Sequence, residues 1–137
     1  MPFEELFHTA DWSLRVWAAD LDHLFVETAR GMNALTGFKL AEKPRVRRTF
    51  TASAPDAESL LVSFLSELVY YAEQDRLAFD HFDLSLNLED GQPCHLSATL
   101  RGAPILSLDK AIKAVTYHNL QIQQTARGYE IEIVFDV

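Results

Sequence analysis

The chain holds a single cysteine, Cys94, among 137 residues, so no internal disulfide can form. A chain of this length buries most of its apolar surface without such staples. One thiol suits a reducing compartment, and Cys94 reads as an ordinary small hydrophobe rather than a reactive group. No run of about 18 apolar residues occurs, which excludes a membrane-crossing helix of ordinary length. The N-terminus, Met1-Pro2-Phe3-Glu4-Glu5, is acidic and lacks the basic and apolar regions of a secretory signal. These absences lead to the expectation of a soluble, cytoplasmic protein forming one domain over residues 1–137.

Positive charge is also scarce. Twelve Lys and Arg stand against twenty Asp and Glu, a formal net charge of −8. Nucleic-acid binding rests mainly on neutralising phosphates, so no direct nucleic-acid binding is expected, and an RNA-related role would act through a protein partner. Five of the twelve basic residues, Lys39, Lys43, Arg45, Arg47 and Arg48, nevertheless fall within ten positions. That segment reads as a solvated loop and strand face, with docking to an acidic or RNA-bearing partner as the functional alternative.

What is present is alternation of two periods. Trp12, Leu14, Val16 and Ala18 mark a strand, and Asp20 caps a helix carrying Leu21, Leu24, Phe25, Thr28, Ala29, Met32 and Leu35 up to Gly37. Residues 38 to 44 read as a loop. Val46, Phe50 and Ala52 predict a half-buried strand interrupted at Arg48. Ala54-Pro55-Asp56 opens a second helix running to about Glu73 or Gln74, apolar around most of its circumference and therefore packed on two sides. Phe82 to Leu88 and Leu96 to Leu100 form a hairpin about Asp90-Gly91, with Gly102-Ala103-Pro104 breaking its second strand. A last hairpin pairs a strand over roughly Ala114 to Gln124, with a β-bulge near His118-Asn119, against Tyr129 to Phe135. The fold class is α+β: two helices packed on mostly antiparallel sheets, in nested strand-helix-strand-strand modules.

Chemistry-bearing residues gather at two places. His8-Thr9-Ala10-Asp11 sets an imidazole, a hydroxyl and a carboxylate at the mouth of the first strand, where they either serve a site or tie up the backbone of a turn. Asp136 and the carboxylate of Val137 lie at the other end of the chain. If the first and last strands lie side by side, oxygen ligands for a hard divalent cation come together there; otherwise Asp136 frays into water.

Four segments together, His8-Thr9-Ala10-Asp11, Leu60 to Leu68, Lys113-Ala114-Val115-Thr116-Tyr117-His118 and Val134-Phe135-Asp136-Val137, resemble the signature segments of the archease family, in family order and across essentially the whole chain. The sequence departs from the family at Ser63-Phe64, where Asp-Trp is common, and at Ser66, where Asn is usual. The resemblance implies an accessory protein, not itself an enzyme, that activates the RtcB-type RNA ligase of tRNA splicing and RNA repair by promoting guanylylation of the ligase and multiple turnover. It further implies a calcium (Ca2+) site, open to other divalent cations, with Asp11, Asp136 and Val137 as ligands. His8, Glu67, Lys113 and His118 form a possible surrounding cluster, Lys113 as counter-charge. Two other functions compete. One is a chaperone-like partner of RNA- or DNA-modifying enzymes such as methyltransferases. The other is a stand-alone metal-dependent hydrolase using Asp11, Asp136, His8 and His118, against which stands the absence of a spacing such as HExxH.

Overall fold

Leu14 and Val16 are buried, as the alternation of the first predicted strand requires. A computed structural model describes residues 2–7 and 12–137. In order, its elements are β1 (Phe3–Phe7), β2 (Trp12–Ala18), α1 (Leu21–Thr36), β3 (Lys39–Leu40), β4 (Val46–Ala54), α2 (Ala57–Tyr70), a π-helical turn (Tyr71–Asp75), β5 (Leu77–Asn87), β6 (Cys94–Ser107), β7 (Ala114–Val115), β8 (Gln123–Thr125) and β9 (Gly128–Asp136). One sheet takes strands from both ends of the chain in the order β1-β2-β9-β7, with β8 also on β9; the other takes the middle strands, β3-β6-β4 with β5 on β6. Every described pairing is antiparallel, as the expected α+β class has it.

Both helices start where their caps dictate. The Asp20 carboxylate accepts from His23 N–H at 2.8 Å, and that of Asp56 from Ser59 N–H at 2.7 Å. Each satisfies a donor that the first helical turn leaves orphaned. Gly37, at φ +61°, ends α1 in the left-handed conformation. Helix α1 packs on β1, β2, β5 and β9, and α2 on β4, β6 and β7, so both helices touch both sheets. Their apolar stripes meet in one cluster, where the rings of Phe25 and Phe64 stack at 6.3 Å and Phe82 meets Phe64 edge-on at 6.1 Å.

Six expectations are corrected. Residues 38 to 44 are not loop throughout, since Lys39 and Leu40 pair with β6 as β3. The short strand β1 precedes the strand read as first. Strand β4 runs through Arg48 without a break, because Arg48 occupies an inward-alternating position yet is only half-buried at the sheet's edge. Helix α2 ends at Tyr70, and hydrogen bonding over Tyr71–Asp75 changes to the wider π pattern before Arg76 reverses the chain at φ +52°. Strand β6 passes straight through Gly102-Ala103-Pro104. There Gly102 faces the irregularity at Asp80 in β5, and a Cβ on it would lie 1.9 Å from the Ala78 carbonyl oxygen, so glycine permits the close approach rather than ending the strand. Finally, residues 114 to 124 are not one bulged strand: β7 and β8 are separate, joined by a stretch with Asn119 at φ +50°.

The basic segment is partly spent on structure. Arg45 grips Asp80 with two hydrogen bonds, 2.8 and 3.2 Å, and this bond holds the Asp80 carboxyl below the usual carboxylate range. A depressed folded-state value means stability present above the unfolded carboxyl's pKa, about 3.9, and lost as pH falls through the folded one. The pair is half exposed, at 50% and 49%, so solvent screens it and its contribution is small. Urea midpoints of the parent and Asp80→Asn are expected to differ by a constant small amount above about pH 5 and to converge in stronger acid.

Candidate functional site

Strands β2 and β9 lie side by side, with Ser13 opposite Val134 and Trp12 opposite Phe135. The adjacency of first and last strands on which the cation reading depends is therefore present. In sequence, Asp11 is the next residue before Trp12 and Asp136 the next after Phe135. His8 and Asp11 lie outside the described residues.

The far end of β9 is held on both sides. Beyond β2, β7 pairs Ala114 with Asp136 and Val115 with Phe135, and Lys113 N–H donates to the Asp136 carbonyl at 2.8 Å. Val137 packs its side chain against the core. These contacts replace the expected alternative of a frayed end with a fixed one, on which the exposed Asp136 carboxylate stands. Alternation puts Asp136 on the same sheet face as Val134 and its partner Ser13. Ser13 and Asp136 are thus diagonal neighbours across the pair. The Ser13 hydroxyl is completely buried and makes no hydrogen bond among the described residues. Its burial makes Ser13 a feature that strand-pattern reading missed: a serine in an alternating strand signals only the polar face.

Lys113 is brought to Asp136 through its backbone. A second lysine, unforeseen from the sequence, joins it: the Lys110 ammonium lies 4.6 Å from the centre of the Trp12 ring. The segment carrying both lysines is anchored at its start by Asp109 and Lys110 N–H groups donating to the Thr36 carbonyl. The other cluster members stand apart. Glu67 is half-buried on α2, and neither it nor His118 bonds to Asp136 or Lys113 among the described residues. His118 is exposed, its Nε2 3.3 Å from the Asn119 amide nitrogen. No three His, Cys, Asp or Glu side chains converge as a metal site among the described residues.

The donor chemistry at this end suits a hard cation. Asp136 offers an exposed carboxylate, and Asp11 and Val137 are its expected co-ligands by sequence. Further along the same face, Arg15 lies 3.2 Å from Glu4, 3.8 Å from Glu130 and 4.0 Å from Glu132, so the remaining acids there are already engaged by arginine. Elsewhere, burial first and then Asp56 and Glu58 push the Cys94 thiol up, in keeping with an unreactive cysteine. No helix among the described residues is long and apolar enough to cross a membrane.

The family model described as Archease protein family (MTH1598/TM1083) matches residues 3–137. A protein archease of Methanosarcina barkeri is 34% identical over 140 residues, covering 98% of this chain and 95% of that one. That of Methanopyrus kandleri is 32% identical over 142 residues and is matched along 100% of both chains. The solution structure of protein 1598 of Methanobacterium thermoautotrophicum has the same fold, with a TM-score of 0.76 at 23% identity over 99% of both chains. The crystal structure of a Thermotoga maritima archease, described as a possible chaperone, gives 0.69 at 18% identity, covering 98% of this chain and 96% of that one.

Proposed function

The chain belongs to the archease family, and on that footing we propose that it is an accessory protein that activates an RtcB-type RNA ligase, promoting guanylylation of the ligase and so its multiple turnover. The observation that supports the reading is the pairing of Trp12 with Phe135 across adjacent antiparallel strands, to which Asp11 and Asp136 are the next residues in sequence. Three carboxylates, those of Asp11, Asp136 and the Val137 terminus, would repel one another unless positive charge lay among them. Asp11, Asp136 and Val137 would hold a divalent cation, with Ca2+ the expected ion, and that cation would supply charge for a phosphate group at the docking face.

This chain's own residues act by placement. Backbone bonds from β7 and Lys113 fix Asp136, and the core fixes Val137. The bond-making histidine belongs to the ligase. The accessory protein contributes orientation of the reacting groups and preset charge, both of which lower a barrier without a catalytic group of its own. A chaperone-like partner of RNA- or DNA-modifying enzymes is the second reading; exposed Tyr70, Leu106 and Tyr117 favour protein contacts of that kind.

The test adds the protein to an RtcB-type ligase with excess RNA ends and GTP. Faster guanylate transfer to the ligase and several ligations per enzyme are expected. Unchanged transfer, together with recovery of methyltransferases but no ligase from a pull-down, selects the second reading.

A further inference from the structure

A cavity of about 330 Å³ opens between the C-terminal half of α1, the end of α2 with its π-helical turn, and residues 108–113. Its floor is apolar, with Met32, Leu68, Phe79 and Ile112 among the lining side chains. The charged residues that line it, Glu73, Arg76 and Lys113, are all exposed and so form its mouth. Among the described residues, the side chains of Arg76 and Lys113 make no hydrogen bond or ion pair. A second, smaller cavity of about 220 Å³ continues past Glu73 and Lys113 toward β7.

Apolar walls with a few polar groups at one end are the usual makeup of a small-molecule site, and the volume falls at the lower end of the range for such sites, about 300–1,000 Å³. An apolar floor of this kind takes the apolar body of a guest. The charge at the mouth settles the class of guest. Arg76 and Lys113 outweigh Glu73 by one positive charge, on a protein whose overall charge is −8. A local cationic excess in an acidic protein selects a single negative charge and disfavours a dianion. We propose that this cavity binds a small organic monoanion, an aliphatic or aromatic body carrying one carboxylate, with the body among Met32, Leu68, Phe79 and Ile112 and the carboxylate at Arg76 and Lys113. The guest sits beside Lys113, whose backbone N–H holds the Asp136 carbonyl, so an occupied cavity stiffens the segment that fixes the chain end.

Displacement of 1-anilinonaphthalene-8-sulfonate by decanoate, with decanol as the uncharged counterpart, tests this on the full chain. Decanoate is expected to bind one per protein and more tightly than decanol. Arg76→Gln and Lys113→Gln each weaken decanoate about two- to fivefold and leave decanol unchanged, whereas Glu73→Gln tightens decanoate by a similar factor. Ala78→Leu, which fills the floor, abolishes both, and Ala111→Leu at the exposed edge weakens both and carries the test where the buried substitution impairs folding. Failure of decanoate to displace the dye, equal binding of acid and alcohol, or indifference to the mouth and Ala111 variants overturns the assignment. None of these readouts involves the ligase, so the site stands or falls apart from the activator reading.

Discussion

Replacing Asp136 with alanine is expected to lower stimulation of ligase guanylylation by at least about tenfold, the scale on which disturbing a cation's ligand environment acts. The fold is expected to survive. Asp136 contributes to the structure through its backbone: its carbonyl accepts from Lys113 N–H, and its Cα pairs with that of Ala114. Its side chain is exposed, and surface substitutions of that kind shift stability by about 0.5 kcal/mol or less. Asp11→Ala is expected to match it. The double variant should be no worse than either single one, since ligands that act as a unit are lost as a unit. Guanylate incorporation into the ligase, measured beside thermal unfolding of each variant, checks both halves of the expectation.

Gly102→Ala is the substitution with the largest expected effect on stability. The added methyl carbon would sit 1.9 Å from the Ala78 oxygen and 2.7 Å from the Phe79 Cα, and both obstacles are backbone. Relief requires prising β5 from β6 at the irregularity around Asp80, which strips ladder hydrogen bonds in the centre of the second sheet. A loss of about 3 kcal/mol or more is expected, the upper part of the range for overpacking. For a chain of this size that lowers the melting midpoint by about 10 °C. Ser97→Ala, on the exposed face of the same strand, serves as the control and should shift it little.

Gly102 also marks where sequence reading and structure part. Gly-Ala-Pro is a strong local breaker, yet β6 continues because packing against β5 needs a residue without a side chain at that point. Tertiary contact overrides local preference, and a single sequence carries no sign of it. The same holds for 114–124, where alternating apolar positions suggest one strand although only Ala114–Val115 and Gln123–Thr125 pair with β9. β1 was missed because Phe3-Glu4-Glu5-Leu6-Phe7 does not alternate, and an edge strand need not. The helices and β2 were legible because their apolar faces are continuous and their ends carry caps: Asp20, Gly37 and Asp56 each do what their chemistry predicts. Of the candidate site, the adjacency of the chain's first and last segments could be posed as a condition, and the β2–β9 register meets it. Lys110, Ser13 and the cavity beside Lys113 were not legible. Lys110 reaches Trp12 across the fold, Ser13 is buried by neighbours that its own strand pattern does not reveal, and the cavity is assembled from segments far apart in the chain.

The account turns on the two chain ends sharing one cation. Calcium titration by calorimetry on the parent, Asp11→Asn and Asp136→Asn measures that directly. One site per chain in the parent and none in either variant is the predicted result. Equal calcium binding by all three proteins, or no calcium binding by the parent, would contradict it.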